Sequence, residues 1–527
     1  MQLTQRMAAV ATAAGVVLAL STTGVGEAAP SSSRPAQPAG ATARYTLQII
    51  AINRAGHHTA IQPTVASVDG VPVATSRQTV KIPAGRYLVG AAIATPIPGQ
   101  ASPSYTLVAK EVRVTRSRTV TLDARTGRLL KVAFNARGAR QVVQGATLCG
   151  TSPGAMLAGV YSDPTGTTYV APVPKAVRLF YQSRWQSAAG TLYELAGSAA
   201  RGSKAAPHFS DRVSRLARVR LELRSGTNAA GPQGGFALAH GPDCGPGGDI
   251  LPVSAPWAAT SYLQAGPWSG VIGIGARTLY WSGKFRTRHR YTVSLGSAVY
   301  GPWLPFVNGE LFPKFDRRTL AFGSDGFFSD PAAIGSDCAV HITSTLLKGR
   351  ATLKRLRQDG CSQTDLDKRV AKSGWYRLRV VGSQRAALSS RVTVTWRFYL
   401  RTGPQLSWPR AVPVTLTGFR PQGLDLANSA LPGALTRIAV TIKKGAFPDS
   451  RAPRNVVRTI RIEASFDGGK TWQAVKLTRR GSRLSVEVRD PASGTVSLRS
   501  TVVNTAGDST VLTVYNAYGV RQVTSST

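Results

Sequence analysis

Residues 391–400 read RVTVTWRFYL, and this stretch decides the fold class. Apolar side chains occupy every second position from Val392 through Trp396 to Leu400, with arginine, threonine and tyrosine between them. Successive side chains of a β-strand point to opposite faces of a sheet. The period of two therefore predicts a strand that has one face buried in a core and the other face exposed to solvent.

Strand-length runs continue toward both ends of the chain. RYTLQIIAIN and YTLVAKEVRV lie on the N-terminal side, and TRIAVTIK and TVSLRSTVV lie on the C-terminal side. Gly, Pro and Asp-Gly turn residues separate these runs, which is typical of β-sandwiches. We therefore expect an all-β protein built from several β-sandwich modules in tandem.

Composition shifts predict five segments. Arg6 precedes a short apolar run, and small residues flank a cleavage position after Ala28, which is the pattern of a secretory signal peptide. The next stretch is rich in Pro and Ser and lacks apolar periodicity, as flexible linkers do. The predicted segments are a signal peptide at 1–28, a linker at 29–43, a β-sandwich at 44–136, a Trp- and Gly-rich β region of one or two sandwich units at 137–425, and an immunoglobulin-like β-sandwich at 426–527.

One stretch, residues 210–224, fits two structures. Val213, Leu216 and Ala217 would share one face of a short helix, whereas the LELR sequence that follows alternates as a strand does. The sequence leaves helix and strand open here.

The charge of the chain has two interpretations. There are 65 basic residues against 25 acidic ones, a formal net charge of +40. Such an excess attracts anionic partners: cell-wall polymer, acidic polysaccharide, phospholipid headgroups or, non-specifically, nucleic acid. The basic residues are scattered, however, with no run of five. A compositional excess spread over solvated surfaces therefore stays open beside the binding interpretation.

Ser465, Asp467, Gly469, Thr471 and Trp472 form the sharpest local motif, an Asp-box pattern in the sequence SFDGGKTW. The Asp467 carboxylate can accept backbone N–H groups of its own turn, and glycine permits positive φ. Trp472 can cover the hairpin, and we expect it to lie in the core, as Trp396 does. The motif thus indicates a structural hairpin, away from any active site.

Two other motifs are weaker. Residues 322–330, FGSDGFFSD, could offer calcium the oxygens of Asp325 and Asp330, with Asp337 nearby, but they lack the EF-hand spacing of ligands. A plain Gly-Asp turn is the competing interpretation. Ser152 follows Gly-Thr, as the nucleophile of subtilisins does, but no His-Gly-Thr sequence precedes it to supply a base. We assign no catalytic residue and no cofactor other than this candidate calcium.

Four cysteines are present: Cys149, Cys244, Cys338 and Cys361. An even number in an exported chain favours two disulfides, and the absence of a Cys-x-x-Cys pair argues against zinc. Sequence alone allows three pairings. We favour Cys338–Cys361, because a predicted hairpin lies between them, and Cys149–Cys244 then pair by elimination.

The segments also resemble a known family. IPAGRYLVGA near residue 85 resembles a prealbumin-like or carboxypeptidase-regulatory-like sandwich. Two further stretches resemble the other non-catalytic flanking regions of secreted actinobacterial subtilisin-like serine proteases. One is RYTVSLGSAVYGPW in the middle region, and the other is the Asp-box hairpin with the VSLR strand and the closing Ala-Tyr that follow it. The peptidase domain of that family is missing. The resemblance implies a stand-alone accessory or substrate-binding protein.

We therefore expect a secreted, extracellular or wall-associated protein without catalytic machinery, which binds an anionic polymer or polysaccharide. The alternative is a divergent polysaccharide hydrolase or lyase that uses a carboxylate or histidine of the middle region. A deep pocket with convergent titratable groups would favour the enzyme. The sequence names no ligand and no oligomeric state.

Peptide mapping under non-reducing conditions should recover Cys338–Cys361 and Cys149–Cys244. Each bridge should stabilise the fold by about 2–4 kcal/mol, because it restricts the unfolded chain. Free thiols or another pairing in the map would contradict the assignment.

Overall fold

The computed structural model describes most of the chain from residue 43 onward. The described residues are 43–68, 71–100, 102–150, 156–162, 166–225, 233–241, 251–274, 277–302, 313–324, 326–331, 333–337, 339–360, 365–407, 409–444 and 456–521. Within them, the only helical elements are two short 3-10 turns, Ala124–Thr126 and Val213–Arg215. The predicted all-β, multi-sheet fold is confirmed. The predicted signal peptide lies outside the described residues.

The strands are numbered β1 to β40 along the chain. Strands β1 to β9 are Arg44–Ile52, Thr64–Ser67, Pro72–Thr75, Thr79–Pro83, Gly85–Thr95, Ser104–Val114, Arg118–Asp123, Arg128–Leu129 and Lys131–Phe134. Strands β10 to β22 are Ala139–Cys149, Met156–Ser162, Thr168–Val170, Arg178–Ser187, Leu192–Ser198, His208–Asp211, Ala217–Leu223, Gln233–His240, Leu251–Ser254, Trp257–Leu263, Gly266–Ile274, Arg277–Phe285 and Arg290–Leu295. Strands β23 to β40 are Lys314–Phe315, Thr319–Phe322, Ile334–Asp337, Val340–Lys348, Ala351–Asp359, Leu366–Arg369, Gly374–Gln384, Arg391–Leu400, Arg410–Ala411, Thr415–Pro421, Ser429–Ala430, Leu435–Lys444, Val457–Ser465, Gln473–Val475, Leu477–Arg480, Arg483–Arg489, Gly494–Asn504 and Ser509–Val520.

Four sheets stack in the N-terminal half. A three-stranded sheet (β4-β1-β7) packs on a six-stranded sheet (β3-β2-β5-β6-β12-β8), which packs in turn on a seven-stranded sheet (β11-β10-β13-β14-β19-β16-β22). A five-stranded sheet (β18-β17-β20-β21-β25) covers the other side of the seven-stranded one. The two inner sheets are thus apolar on both faces over part of their area, as buried sheets require.

The C-terminal half is organised around a nine-stranded sheet. Its main path is β27-β26-β29-β30-β40-β39-β35-β36, and β33 adds to β40. The inner face packs against two four-stranded sheets, β32-β34-β38-β37 and β28-β24-β23-β31, around one continuous apolar core. Strand β30, with the alternating sequence RVTVTWRFYL, lies in the middle of this sheet.

The observed register of β30 follows its alternation. Val392, Val394, Trp396 and Phe398 are fully buried, whereas Arg397 between them is exposed. The indole Nε1 of Trp396 donates to a backbone carbonyl of β32 at 3.2 Å, so the buried N–H is satisfied. One face of the strand is core and the other is wet, as the sequence predicts.

Sheet pairing crosses two of the predicted segment boundaries. Strand β12, beyond residue 136, pairs with β6 and β8 of the first sandwich. Strand β30, before residue 426, pairs with β40 near the end of the chain, from Arg391↔Tyr515 to Arg397↔Ser509. Strands from both sides of each boundary therefore share a sheet.

Asn428 joins the two halves. Its side chain is buried, its φ is 58°, and its Nδ2 donates to the carbonyls of Ser225 and Gly296, both at 2.8 Å. Its Oδ1 accepts the N–H of Ala298 at 3.0 Å. One side chain thus satisfies three backbone groups of the middle region, and asparagine tolerates the left-handed backbone better than most residues.

Two smaller outcomes concern secondary structure. Residues 210–224 are not helical: β15 ends at Asp211, a 3-10 turn follows, and β16 carries the alternating ARVRLEL sequence. Alternating burial along β16 decided against the helix, because every second side chain enters the core.

In the described residues, no helix is long and apolar enough to cross a bilayer.

Trp396→Ala should destabilise the protein by about 3–5 kcal/mol, because it leaves a large cavity in the core. Guanidinium denaturation should show a lower midpoint. Thr395→Ala, on the wet face of the same strand, should change the stability by less than about 0.5 kcal/mol. Equal losses in both variants would contradict the assigned register.

Candidate functional site

The outer face of the nine-stranded sheet collects arginine side chains that are far apart in sequence. We call it the arginine face. Strand alternation places each of them opposite the core, and strand pairing brings them together: Arg379 faces Thr395, and Thr345 faces both Arg355 and Arg379. The arginines of this face are Arg355, Arg357, Arg377, Arg379, Arg391, Arg397, Arg461 and Arg499.

Short side chains form the floor between the arginines. Thr393 and Thr395 of β30 lie beside Val381 of β29 and Thr513 of β40. These side chains stand at outward positions yet are largely screened from water by their longer neighbours. The result is a shallow surface with a hydroxyl-bearing floor and cationic surroundings.

Among the described residues, the carboxylates of Glu463 and Asp359 stand on the arginine face, and both are paired. Glu463 is held by Arg499 Nε at 2.8 Å and by Arg461 Nη2 at 2.9 Å. The hydrogen bond from Arg499 is the main cause that lowers the pKa of Glu463. Asp359 meets His341, with 2.6 Å between Nδ1 and Oδ1, at an exposed edge of the face. Among the described residues, no ion pair joins the remaining arginines of the face to a carboxylate.

Aromatic rings support three of the arginines. The guanidinium carbon of Arg397 lies 3.9 Å from the centroid of the Trp375 ring, and that of Arg499 lies 4.3 Å from Trp472. Arg391 lies over Tyr515 at 5.3 Å. These distances are within the range of cation–π attraction. The face therefore combines positive charge with side chains whose orientation is partly fixed.

The Asp-box residues form a closed hairpin beside this face. Asp467 accepts the backbone N–H groups of Lys470 and Thr471 at 2.9–3.0 Å and the Thr471 hydroxyl at 2.5 Å. The Ser465 hydroxyl donates to Asp467 Oδ1 at 2.7 Å and accepts the N–H of Gly469 at 2.9 Å. These contacts, with the Thr471 hydroxyl bond as the main cause, hold the pKa of Asp467 well below its ordinary value.

Trp472 does not lie in the core, where we expected it. The side chain is half-buried: its Nε1 donates to the Gly469 carbonyl at 3.0 Å, and its ring is packed between Arg499 and Tyr515. Both neighbours stand at outward positions of their strands, so the ring lies on the outer face of the sheet and not in the core. Trp396, in contrast, is fully buried, as expected.

The other sequence candidates are not brought into a site. Asp330 is buried and accepts the N–H groups of Ser297 and Ala333 at 2.9 and 3.0 Å, as a turn-forming aspartate does. Asp325 and the side chain of Asp337 lie outside the described residues. Among the residues that are described, no cluster of His, Cys, Asp and Glu could hold a metal ion.

The catalytic and disulfide candidates are largely outside the described part of the chain. Ser152 belongs to the undescribed stretch 151–155. Cys149 is buried at the end of β10, and Cys244, Cys338 and Cys361 are not described. Both disulfide pairings therefore stay predictions.

A cavity of about 440 Å³ lies where the two halves meet. Glu222, Arg224, Asp425 and Arg521 line it. Arg224 and Arg521 hold the two carboxylates at 3.0 and 2.6 Å, respectively. Burial opposes ionisation of Glu222, but hydrogen bonds from arginine and serine outweigh it and lower its pKa.

No protein-family model matches the chain, and no curated protein does. Among solved structures, the Bacillus anthracis TIE protein is similar over 48% of this chain and 50% of its own, at 10% identity and a TM-score of 0.13. Escherichia coli alpha-2-macroglobulin activated by porcine elastase is similar over 91% of this chain and 53% of its own, at 9% identity and a TM-score of 0.15. The Streptococcal ancillary pilin is similar over 48% of this chain and 99% of its own, at 10% identity and a TM-score of 0.11. The chain thus spans about half the length of the first two, and at such TM-scores these likenesses carry no argument.

The arginine face was not predicted from the sequence. Its arginines are spread from residue 355 to residue 499 in the sequence, and no run marks them. The available signal was the position of each arginine in the alternating pattern. Arg377 and Arg379, like Arg391 and Arg397, occupy the solvent-exposed positions of their strands. Phase locates a side chain on a face, but strand pairing decides which faces are joined.

Asp467→Asn should lower the melting temperature at neutral pH, because the hairpin loses a charged acceptor. The pKa of Asp467 is lowered in the folded state, so its stabilising contribution is present above the unfolded pKa and is lost as pH falls through the folded one. The difference from wild type should therefore shrink in acid. Asp365→Asn, at an exposed carboxylate, should leave melting unchanged; a constant difference at every pH would contradict the assignment.

Proposed function

We propose that the protein is a secreted, non-catalytic accessory or surface-associated protein that binds an anionic extracellular polymer through the arginine face. The observation that carries this proposal is the concentration of arginines on one solvent-facing sheet surface, most of which have no ion-pair partner among the described residues. Like charges that are gathered without neutralisation cost stability. An opposite charge that binds to the face from outside would offset this cost.

The shape of the face supports a polymer as the ligand. Small substrates are bound in concave pockets that bury most of their surface. The arginine face is instead a shallow sheet surface, and its cations extend from β27 to β35 across the sheet. A linear polyanion can contact several of these cations at once, and each contact releases counterions.

The enzyme alternative has less support. The carboxylates at the junction cavity, Glu222 and Asp425, are held by Arg224 and Arg521. A glycosidase needs one carboxyl group with a raised pKa as general acid and a second carboxylate. The resemblance to flanking regions of secreted proteases likewise implies an accessory role.

The triple variant R355Q/R357Q/R379Q should bind heparin or purified anionic wall polymer more weakly than wild type does. Each neutralised contact contributes counterion release, so the slope of log affinity against log salt should fall by about two to three. Affinity measured by calorimetry or wall sedimentation at several salt concentrations checks this.

The matched control is R479Q/R480Q/R483Q, which removes the same charge from the exposed β37–β38 hairpin. This control should retain the wild-type slope. Equal loss in both variants would mean that net charge and not the arginine face binds the polymer. A falling polymer length during incubation would instead support the hydrolase or lyase.

A further inference from the structure

We infer that Arg391 and Arg397 form a two-point anchor for a linear chain of oxyanion groups, with aromatic rings holding both guanidinium groups in orientation. This inference rests on the proposed function and makes it more specific. Scattered arginines would attract any polyanion weakly. The N–H donors of each planar guanidinium form a rigid fork. Two such forks, held in orientation at a fixed spacing, favour ligands whose acceptor groups match the hydrogen-bond geometry and whose length matches the spacing.

Arg397 is held on two sides. Its guanidinium carbon stacks 3.9 Å from the Trp375 ring centroid, and its Nη1 donates to the Gly507 carbonyl at 3.1 Å. Gly507 has a φ of +86°, and a Cβ there would come within 3.3 Å of the Trp375 ring, so the turn packs closely on the indole. Trp375 is in turn met edge-on by Tyr399 at 5.6 Å. One N–H is thus used within the chain, and the Arg397 side chain remains exposed at an outward position of β30.

Arg391 is supported through the Asp-box hairpin. It lies directly across from Tyr515 and 5.3 Å above that ring. Tyr515 is itself fixed by Trp472, edge-on at 6.4 Å, and by Gly469, where a Cβ would come within 2.4 Å of the tyrosine ring. The glycine of the motif thus makes room for the ring that orients this arginine.

Neither arginine is neutralised by an ion pair within the described residues. Asp508 lies close enough to feel the charge of Arg397, but it is buried and accepts the N–H of Tyr399 at 3.4 Å. Burial raises the pKa of Asp508, which opposes a charged pair with Arg397. The two forks are therefore available to a ligand.

Spacing sets the length of that ligand. Arg391 and Arg397 lie on the same face of β30, and six residues at about 3.4 Å each separate them by about 20 Å. The short side chains of Thr393 and Thr395 lie between them. A polyanion long enough to reach both arginines forms its second contact while it is already bound, which raises its affinity. A shorter polyanion can contact only one of the two arginines.

Arg499 provides an internal comparison. It stacks on Trp472 at 4.3 Å, much as Arg397 stacks on Trp375, but its Nε is bound to Glu463 at 2.8 Å. Its charge is thus compensated and part of its fork is occupied.

The experiment compares R391K/R397K with wild type and with R479K/R483K, a matched double change on the exposed β37–β38 hairpin away from the arginine face, at physiological salt. Both variants retain net charge, so only guanidinium geometry changes. The probes are size-fractionated heparin oligosaccharides, which carry sulfate and carboxylate, and inorganic polyphosphate of defined length, which carries phosphate. For oligomers longer than about 20 Å, R391K/R397K should bind about tenfold more weakly, since lysine offers no planar fork. Its dependence on oligomer length should disappear, while R479K/R483K should bind as wild type does.

A loss confined to heparin would identify sulfate or carboxylate as the recognised group, and a loss confined to polyphosphate would identify phosphate. W375L/Y515L, which keeps both arginines but removes their supports, should reproduce part of the loss. Wild-type affinity in R391K/R397K for both probes would overturn the anchor and leave the proposed function intact. Failure of wild type to bind either probe even at low salt would overturn both.

Discussion

The alternation of side chains across the nine-stranded sheet constrains both the core and the arginine face. In β30, the residues that face inward include Trp396, which fills the core and donates to the Thr415 carbonyl. The residues between them include Arg391 and Arg397, which face water. Because the period is two, a shift of register by one residue would bury arginine and expose tryptophan. Packing of the inner face therefore fixes the positions of the cations on the outer face.

The Asp-box hairpin illustrates how a local motif acquires a role from its neighbours. Its internal hydrogen bonds, centred on Asp467, close a tight turn at the sheet edge. The same turn places Gly469 and Trp472 against Tyr515. Tyr515 belongs to β40 and lies under Arg391. A motif that looks purely structural thus becomes part of the support beneath the proposed anchor.

The contacts that join the two halves are polar, whereas the contacts between packed sheets are apolar. Asn428 and Arg224 satisfy backbone groups across the junction through side-chain hydrogen bonds, and Arg224 also holds Glu222. Buried polar groups are costly unless they are paired, so such a junction specifies one arrangement of the chain. The cavity there is lined by charges that already have partners.

The sequence by itself determined the all-β class, the individual alternating strands and the hairpin chemistry of Asp467, because these depend on local periodicity and on turn residues. It left residues 210–224 open and placed Trp472 in a core, since neither burial nor sheet edges can be read from one strand. The arginine face was decided only by tertiary structure. Its cations come from β27, β29, β30, β35 and β39, and only hydrogen-bonded pairing between strands distant in sequence joins them into one surface. Net charge is a property of composition, whereas a binding face depends on which strands are neighbours.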